Sequence, residues 1–186
     1  MPLKGGICCP MPDLLLVLKA KKGDSDAFVS LFKSYEPVLY TAAYKILHDE
    51  QDVADALQET ALLAFQKISQ LKKARYFNTW LYRIMMNECF QIYQKRAPKF
   101  DLSDVEPVVE STSEDTVILN ELLNDLDIIY RIPLVLYYTS GFSIKEIAQI
   151  LDEPIGTIKS RLSRGRALLQ KEFISIQGDD YYYGKI

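Results

Sequence analysis

Apolar side chains recur at spacings of three and four along nearly the whole chain, and the pattern lapses in one long stretch only. That recurrence is the period of the α-helix, not the strict alternation of a strand, so an all-α protein in two parts is expected. The first pattern is short, over residues 14–22, with Asp13 as its N-cap and Gly23 as its stop. Asp24 or Ser25 caps a longer one, whose inner face carries Ala27, Leu31, Tyr35, Leu39, Ala42 and Ile46. Pro37 lies within it and predicts a bend or a local break. A third follows Asp49, with Val53, Leu57, Ala61, Ala64 and Ile68 inward and Asp52, Asp55 and Glu59 outward. A fourth begins near Asn78, with Leu81, Ile84, Met85, Cys89 and Ile92 inside and Arg83, Asn87, Gln91 and Gln94 outside.

The lapse covers residues 99–113, a mixture of Asp, Glu, Ser, Thr, Pro and Val that reads as a linker. Helical spacing resumes at Thr116 with Ile118, Leu122 and Leu126, then over 129–138, where Pro133 opens the helix late or kinks it and Ser140-Gly141 ends it. A pair over 143–151 and 155–173 closes the pattern. The expected organisation is a disordered leader (1–12), a helical domain (13–98), the linker (99–113), a second helical domain (114–173) and a Tyr-rich tail (174–186). Each domain is small enough to be marginal alone, so a partner contributes to its order.

Of the 186 residues 48% are hydrophobic, enough for a buried core and too many for a disordered chain. The longest stretch without a polar side chain is seven residues, 132–138, far short of the roughly 20 that span a bilayer. No export signal is legible near the N-terminus, where Pro10, Pro12 and Asp13 precede a hydrophobic run of five, and a soluble cytoplasmic protein is expected. Cys8 and Cys9 are adjacent, Cys89 is distant and His48 has no thiol at ligand spacing, so neither a disulfide framework nor a metal site is expected. Cys89 reads as a small buried side chain. With no nucleophile–base pair and no Gly-rich phosphate loop, neither a cofactor nor enzymatic activity is expected.

The net charge of −3 conceals a strong segregation. Residues 60–99 carry +7, residues 101–127 carry −9 with no base, and residues 128–173 carry +3. Two positive modules flanking an acidic connector suit two separate contacts with a polyanion.

The most informative segment is 142–162. Ser143 and Glu146 form a capping box, and Ile144, Ile147, Ala148 and Leu151 make a buried face. Asp152-Glu153-Pro154 is a tight turn, after which Ile158 and Leu162 return to the core. Ala148 and Gly156 are small where the two helices would approach closely. This is the arrangement that seats its second helix in a major groove. The exposed side of that helix presents Thr157, Lys159, Ser160, Arg161, Ser163, Arg164 and Arg166 without one acid. Arginine forks match guanine O6 and N7, and a helix N-terminus favours phosphate. A merely solvated basic face is the plainer alternative.

In the first domain a basic aromatic cluster contains Lys72, Lys73, Arg75, Tyr76, Phe77, Asn78 and Trp80. The cations suit phosphates and exposed rings suit unstacked bases; Asn78 and Asn87 suit base edges. Phe77 and Trp80 read equally as core residues, and Tyr76 is the better stacking residue. The acidic face of Asp52, Asp55, Gln58 and Glu59, beside Leu57, would repel DNA and suits a protein partner; ordinary helix solvation explains it as economically.

These segments together resemble the extracytoplasmic-function sigma factors of bacterial RNA polymerase, over about residues 13–172. Asp-Ser-Asp-Ala-Phe (24–28) resembles the opening of the first conserved region, and Asp-Val-Ala-Asp-Ala-Leu-Gln-Glu-Thr (52–60) the polymerase-clamp segment. Phe-Asn-Thr-Trp-Leu-Tyr-Arg-Ile-Met-Met-Asn (77–87) resembles the −10 recognition and melting region, and Ile-Lys-Ser-Arg-Leu-Ser-Arg-Gly-Arg (158–166) the −35 reading helix. The resemblance implies that Asp52, Asp55, Leu57, Gln58 and Glu59 contact core RNA polymerase. It implies that residues 72–78 form a loop capturing a flipped base, that Arg83 and Asn87 lie near the upstream end of the −10 element, and that Thr157, Lys159, Ser160, Arg161 and Arg164 face the −35 duplex. It also implies an acidic linker running through the polymerase near its active centre and RNA-exit path, and an anti-sigma protein as inhibitor. Two departures stand out: Asp152 where the family usually has Gly, and Asp127 at a common proline position. The function expected is that of a dissociable promoter-specificity subunit. The rival readings are a conventional helix-turn-helix regulator that works without being a polymerase subunit, and a protein-interaction adaptor.

Overall fold

Three aspartates set the frame of the first domain. The structure, a computed structural model of the chain, describes residues 10–96 and 122–183, with side chains as far as 174. The Asp13 carboxylate accepts from the Leu15 and Leu16 amides at 2.9 and 3.2 Å and opens α1 (Leu14–Lys21). Asp24 accepts from Ala27 at 2.9 Å and opens α2 (Ser25–Leu47). Asp49 accepts from Asp52 at 2.8 Å and opens α3 (Glu50–Lys67). Each cap satisfies an amide that has no partner inside its helix, a contribution of about 1 kcal/mol. Between them the chain reverses through left-handed residues, Gly23 at φ 95° and His48 at φ 53°. Two 3₁₀ turns, Ile68–Gln70 and Ala74–Tyr76, lead into α4 (Phe77–Arg96).

The predicted inner face of α2 is fully buried, but Pro37 does not interrupt the helix. Pro37 and Lys33, the residue one turn back whose carbonyl loses its donor, both lie on the exposed side. The helix thus places its missing hydrogen bond on the side open to solvent, where it costs least. On α3 the buried residues are Val53, Ala56, Thr60 and Ala64, so the stripe is rotated and Leu57 and Ala61 are only half-buried.

The described part of the second domain opens on helical residues 122–124 and a bend, where Leu122, Leu123 and Leu126 are buried. Asp127 accepts from the Ile129 amide at 3.0 Å and opens α5 (Ile128–Leu134), which passes through Pro133 and continues as a π-helical turn over Val135–Thr139. Gly141, at φ 75°, ends it. Ser143 and Glu146 form the expected capping box on α6 (Ile144–Leu151), and Asp152 at φ 56° turns the chain into α7 (Ile155–Tyr183). α7 runs into the segment expected to be an aperiodic tail. Gly156 has open space where its Cβ would be, contrary to the close approach expected of it. The crossing glycine is Gly165, whose Cβ would meet Leu134 Cδ1 at 2.9 Å and Tyr130 Cβ at 3.3 Å.

These are two all-helical domains, but they are not held apart. Their buried residues form one continuous cluster, and α6 packs across α4. Tyr82 of α4 meets Phe142 edge-on at 4.7 Å. The Arg131 guanidinium is buried at the junction, where Nη1 donates to the Ile46 carbonyl at the end of α2 at 2.6 Å. Nε and Nη2 donate to Leu126 O at 3.2 and 2.8 Å, and Nη2 also to Asn124 O. Each small domain therefore buries part of its apolar surface against the other. The leader is not loose throughout: the Pro10 carbonyl accepts from Asn78 Nδ2 at 2.9 Å and from the Tyr35 hydroxyl at 3.1 Å. Residues 1–9, with Cys8 and Cys9, and the linker 99–113 lie outside the described residues. Among the described residues there is no strand, and no helix is long and apolar enough to cross a membrane.

Two consequences are measurable. Gly165→Val should lower stability by about 1–3 kcal/mol through overpacking against Leu134 and Tyr130, while Gly156→Ala should leave stability equal or raise it by about 0.5–1 kcal/mol, in denaturant titrations. His48, half-buried beside Arg131 and Lys45, has its pKa pulled from 6.5 to about 4, chiefly by burial and then by those two cations. It is neutral in the fold but charged in the unfolded chain below pH 6.5, so its contribution is complete above pH 6.5 and falls as pH drops toward 4. His48→Asn, which tolerates the left-handed backbone, should flatten that part of the denaturation-midpoint profile.

Candidate nucleic-acid interface

α7 projects its polar side chains outward because Ile158 and Leu162, one turn apart, are buried beneath it. The seven predicted side chains do not form an equivalent row. Lys159, Ser163 and Arg164 are exposed, and neither cation has an ion-pair partner among the described residues. Ser160 Oγ donates back to Thr157 O at 2.8 Å and Arg166 Nε to Leu162 O at 3.2 Å, so both cling to their own helix. Thr157 is half-buried. Arg161 Nη2 lies 3.0 Å from Glu153 Oε1 in the turn before the helix.

In the first domain the basic loop is built from its base upward. Leu71 is buried and its carbonyl accepts from Lys21 Nζ at 2.5 Å, which fastens the loop to α1. Lys72, Lys73 and Arg75 are exposed above it, and Tyr76 is 44% exposed with the Arg75 guanidinium 4.8 Å from its ring centre. Arg75 Nη2 also donates to the Tyr76 hydroxyl at 2.9 Å, so Tyr76 is the exposed ring of the cluster but shares one face with Arg75. Phe77, named among the same contacts, is wholly buried, edge-on to Tyr35 at 5.3 Å and 5.8 Å from half-buried Trp80. Phe77 therefore anchors the loop and Trp80 supports it. Asn78 is no free base reader either: Tyr35 donates to its Oδ1, and its amide holds Pro10.

Arg83 and Asn87 emerge from α4 as predicted, and both face the second domain. Arg83 Nη2 pairs with Asp152 Oδ2 at 2.9 Å. Asn87 lines a groove of about 190 Å³ between α4 and the second domain, with Met86, Phe90, Leu151 and Arg161 among the other lining residues. Tyr82 and Met86, outside the predicted inner stripe of α4, are buried.

The acidic face on α3 also separates into two kinds of residue. Asp55, Gln58 and Glu59 are exposed and Leu57 is half-buried. Asp52 is not part of that surface. Its Oδ2 lies 2.5 Å from Arg96 Nε, a close ion pair without hydrogen-bond alignment, while Arg96 Nη2 reaches Asp49 Oδ2 at 2.9 Å. Burial raises the Asp52 pKa in spite of Arg96, whereas the Asp52 amide and Arg96 lower that of Asp49. The pair ties the end of α4 to the start of α3. Leu62 and Phe65, each 48% exposed, extend the α3 surface beyond Glu59. The sequence reading missed them, although their i+3 spacings from Glu59 and from each other were visible. Cys89 is buried and its pKa is pushed up to about 12, mainly by desolvation. Among the described residues no group of three His, Cys, Asp or Glu side chains converges for a metal.

Comparison with known proteins supplies the context for these surfaces. Residues 31–98 match the family "Sigma-70 region 2" and residues 116–169 match "Sigma-70, region 4". The chain is similar to the ECF RNA polymerase sigma factor SigW of Bacillus subtilis, with 32% identity over 175 residues, 84% of this chain and 94% of the relative. Its fold is similar to that of CnrH in complex with the cytosolic domain of CnrY, with a TM-score of 0.70, 25% identity and coverage of 88% and 98% of the two chains. It is also similar to the sigma factor RpoE bound to the anti-sigma factor NepR from Bartonella quintana, with a TM-score of 0.61, 27% identity and coverage of 73% and 89%.

Proposed function

The chain belongs to the extracytoplasmic-function sigma factors of the sigma-70 family, and from that premise we propose that it is the promoter-specificity subunit of a bacterial RNA polymerase, acting in the cytoplasm. The second domain docks on the −35 duplex through α7, with Lys159 and Arg164 on phosphate and Arg161 directed at a base edge. The loop of Lys72, Lys73, Arg75 and Tyr76 holds the opened −10 strand, and Arg83 and Asn87 contact it on its upstream side. Flipping one base costs a few kcal/mol, which a ring such as Tyr76 offsets by stacking. Asp55, Gln58, Glu59 and Leu57, extended by Leu62 and Phe65, form the surface that grips core polymerase. The polymerase makes the bonds and this subunit selects where. An anti-sigma protein is a second partner, by analogy with the complex from Bartonella quintana.

The observation that carries this reading is the pairing of a basic helix-turn-helix surface with a basic loop topped by an exposed tyrosine, on separate domains of one chain. A duplex-only regulator has no use for the second. The decisive experiment is transcription from promoter templates by core polymerase with and without the purified chain, which should move initiation to a distinct set of start sites. Specific duplex binding without polymerase, and no change in start sites, would favour the conventional regulator instead.

Arg161→Ala should cost about 1–3 kcal/mol of discrimination between matched and scrambled −35 sequences. Equal losses on both would make Arg161 a phosphate contact. Replacing Asp55 and Glu59 together with lysine should abolish polymerase association in a pull-down while the far-ultraviolet circular dichroism stays unchanged, because both side chains are exposed. Retained association would place the docking surface elsewhere.

A further inference from the structure

Packing alone explains little of α1. Of its eight residues only Val17 and Ala20 are buried, while Leu14, Leu15 and Leu18 are half or more exposed. Its last turn nonetheless reaches a residue 50 positions further along the chain. Lys21, half-buried, donates from Nζ to the Leu71 carbonyl at 2.5 Å, and among the described residues it makes no ion pair. α1 also lies against both 3₁₀ turns, one on each side of Lys72 and Lys73. The helix therefore brackets the basic loop.

That loop has little of its own to hold it. Its local hydrogen bonds close the two turns, Leu71 N to Ile68 O at 3.1 Å and Tyr76 N to Lys73 O at 3.0 Å, and Leu71 and Lys73 between them are extended. Lys72, Lys73 and Arg75 are exposed cations within four residues, and their mutual repulsion favours a splayed loop. The far end is pinned at buried Phe77 and at Asn78, whose amide donates to Pro10 O at 2.9 Å. At the near end the Leu71 side chain is buried, which fixes where the loop starts but not which way its carbonyl points. The polar tie at that end is Lys21. A hydrogen bond from an ammonium is stronger than one from a neutral donor. A cation beneath a cationic loop adds repulsion in the free chain and attraction once phosphate arrives, so the tie strengthens the field offered to a polyanion.

We propose that Lys21 is a positioning residue for the −10 contact: by fixing the Leu71 carbonyl to α1 it holds Lys72, Lys73, Arg75 and Tyr76 in the arrangement that receives the opened strand. This rests on the promoter-binding reading above. Lys21 acts through Leu71 and not on the strand itself; it lowers the cost of ordering the loop before the strand arrives. A loop with a loose base still attracts phosphate through its three cations. It loses the fixed geometry on which stacking and base discrimination depend. The defect expected from losing Lys21 is therefore in strand opening, and not in duplex binding by α7.

The test compares three variants of the full chain. Lys21→Met keeps the aliphatic stem without the donor, Lys21→Arg restores donor and charge, and Lys22→Met removes the same charge from the exposed neighbour. In the free chain, Lys21→Met should accelerate hydrogen exchange of the residue 72–76 amides about threefold to tenfold, with α2 and α3 unchanged, and Lys21→Arg should restore it. With core polymerase, at a start site chosen by the wild type, permanganate reactivity of the unpaired −10 thymines should fall roughly threefold to tenfold for Lys21→Met. Occupancy of the −35 duplex, read by footprinting, should be retained. Lys21→Arg and Lys22→Met should match the wild type in both. If Lys21→Met equals Lys22→Met in thymine reactivity, or loses −35 occupancy in equal measure, the proposal is overturned. A wild type that changes no start site defeats the promoter reading instead. Exchange over 72–76 then decides alone whether Lys21 holds the loop: faster exchange sustains that role and unchanged exchange refutes it.

Discussion

One buried guanidinium holds the architecture together. Among the described residues Arg131 has no carboxylate within ion-pair distance; its hydrogen-bond acceptors are the carbonyls of Ile46, Asn124 and Leu126. The last carbonyls of a helix lack partners within it, and if buried they must find donors elsewhere. Arg131 supplies one to the end of α2 while closing the turn that opens its own domain. A cation there also opposes the negative end of the α2 dipole. Burial lowers its pKa, but guanidinium starts so high that the charge is retained. Its neighbours adjust to it: His48 remains neutral beside it, and the Tyr93 ring centre lies 6.0 Å from the guanidinium carbon.

With the domains joined, charge decides what each surface is for. The exposed carboxylates of α3 cannot lie along a phosphate backbone, and the bare lysines of the Lys72–Lys73 loop have no protein counter-charge among the described ion pairs. The two surfaces are suited to different partners by charge alone. Between them lies the groove, where cations suited to DNA meet carboxylates of the same chain. Exposed ion pairs of this kind contribute about 0–1 kcal/mol each.

Much of this was legible from local chemistry. Asp13 and Ser143 cap helices as expected, Asp24 is the cap of the two offered for α2, Asp49 caps the pattern that follows it, and the whole α2 stripe is buried. The acid-free face of α7 and the basic loop were visible as composition. The failures share a cause. Tyr82 and Met86 were not named in the buried stripe of α4, the burial of Arg131 was not foreseen, and Asp52, placed on the outward face of α3, is largely covered by its pairing with Arg96. Each is shaped by an element far away in the chain. Phe77 and Asn78 were candidates for DNA because their neighbours are, yet packing on Tyr35 and Pro10 consumes both.

The amino-acid sequence by itself determined the helices, their caps, the division into two domains and the residue types able to meet DNA. All of these depend on interactions within a turn or two of helix, and short-range periodicity records them. Only the tertiary structure decided which of those residues remain available. Whether a cation is free, or a ring open, depends on what crosses it. Arg83 meets Asp152 and Arg131 meets Ile46 across separations of 69 and 85 residues, a range at which no local pattern carries information.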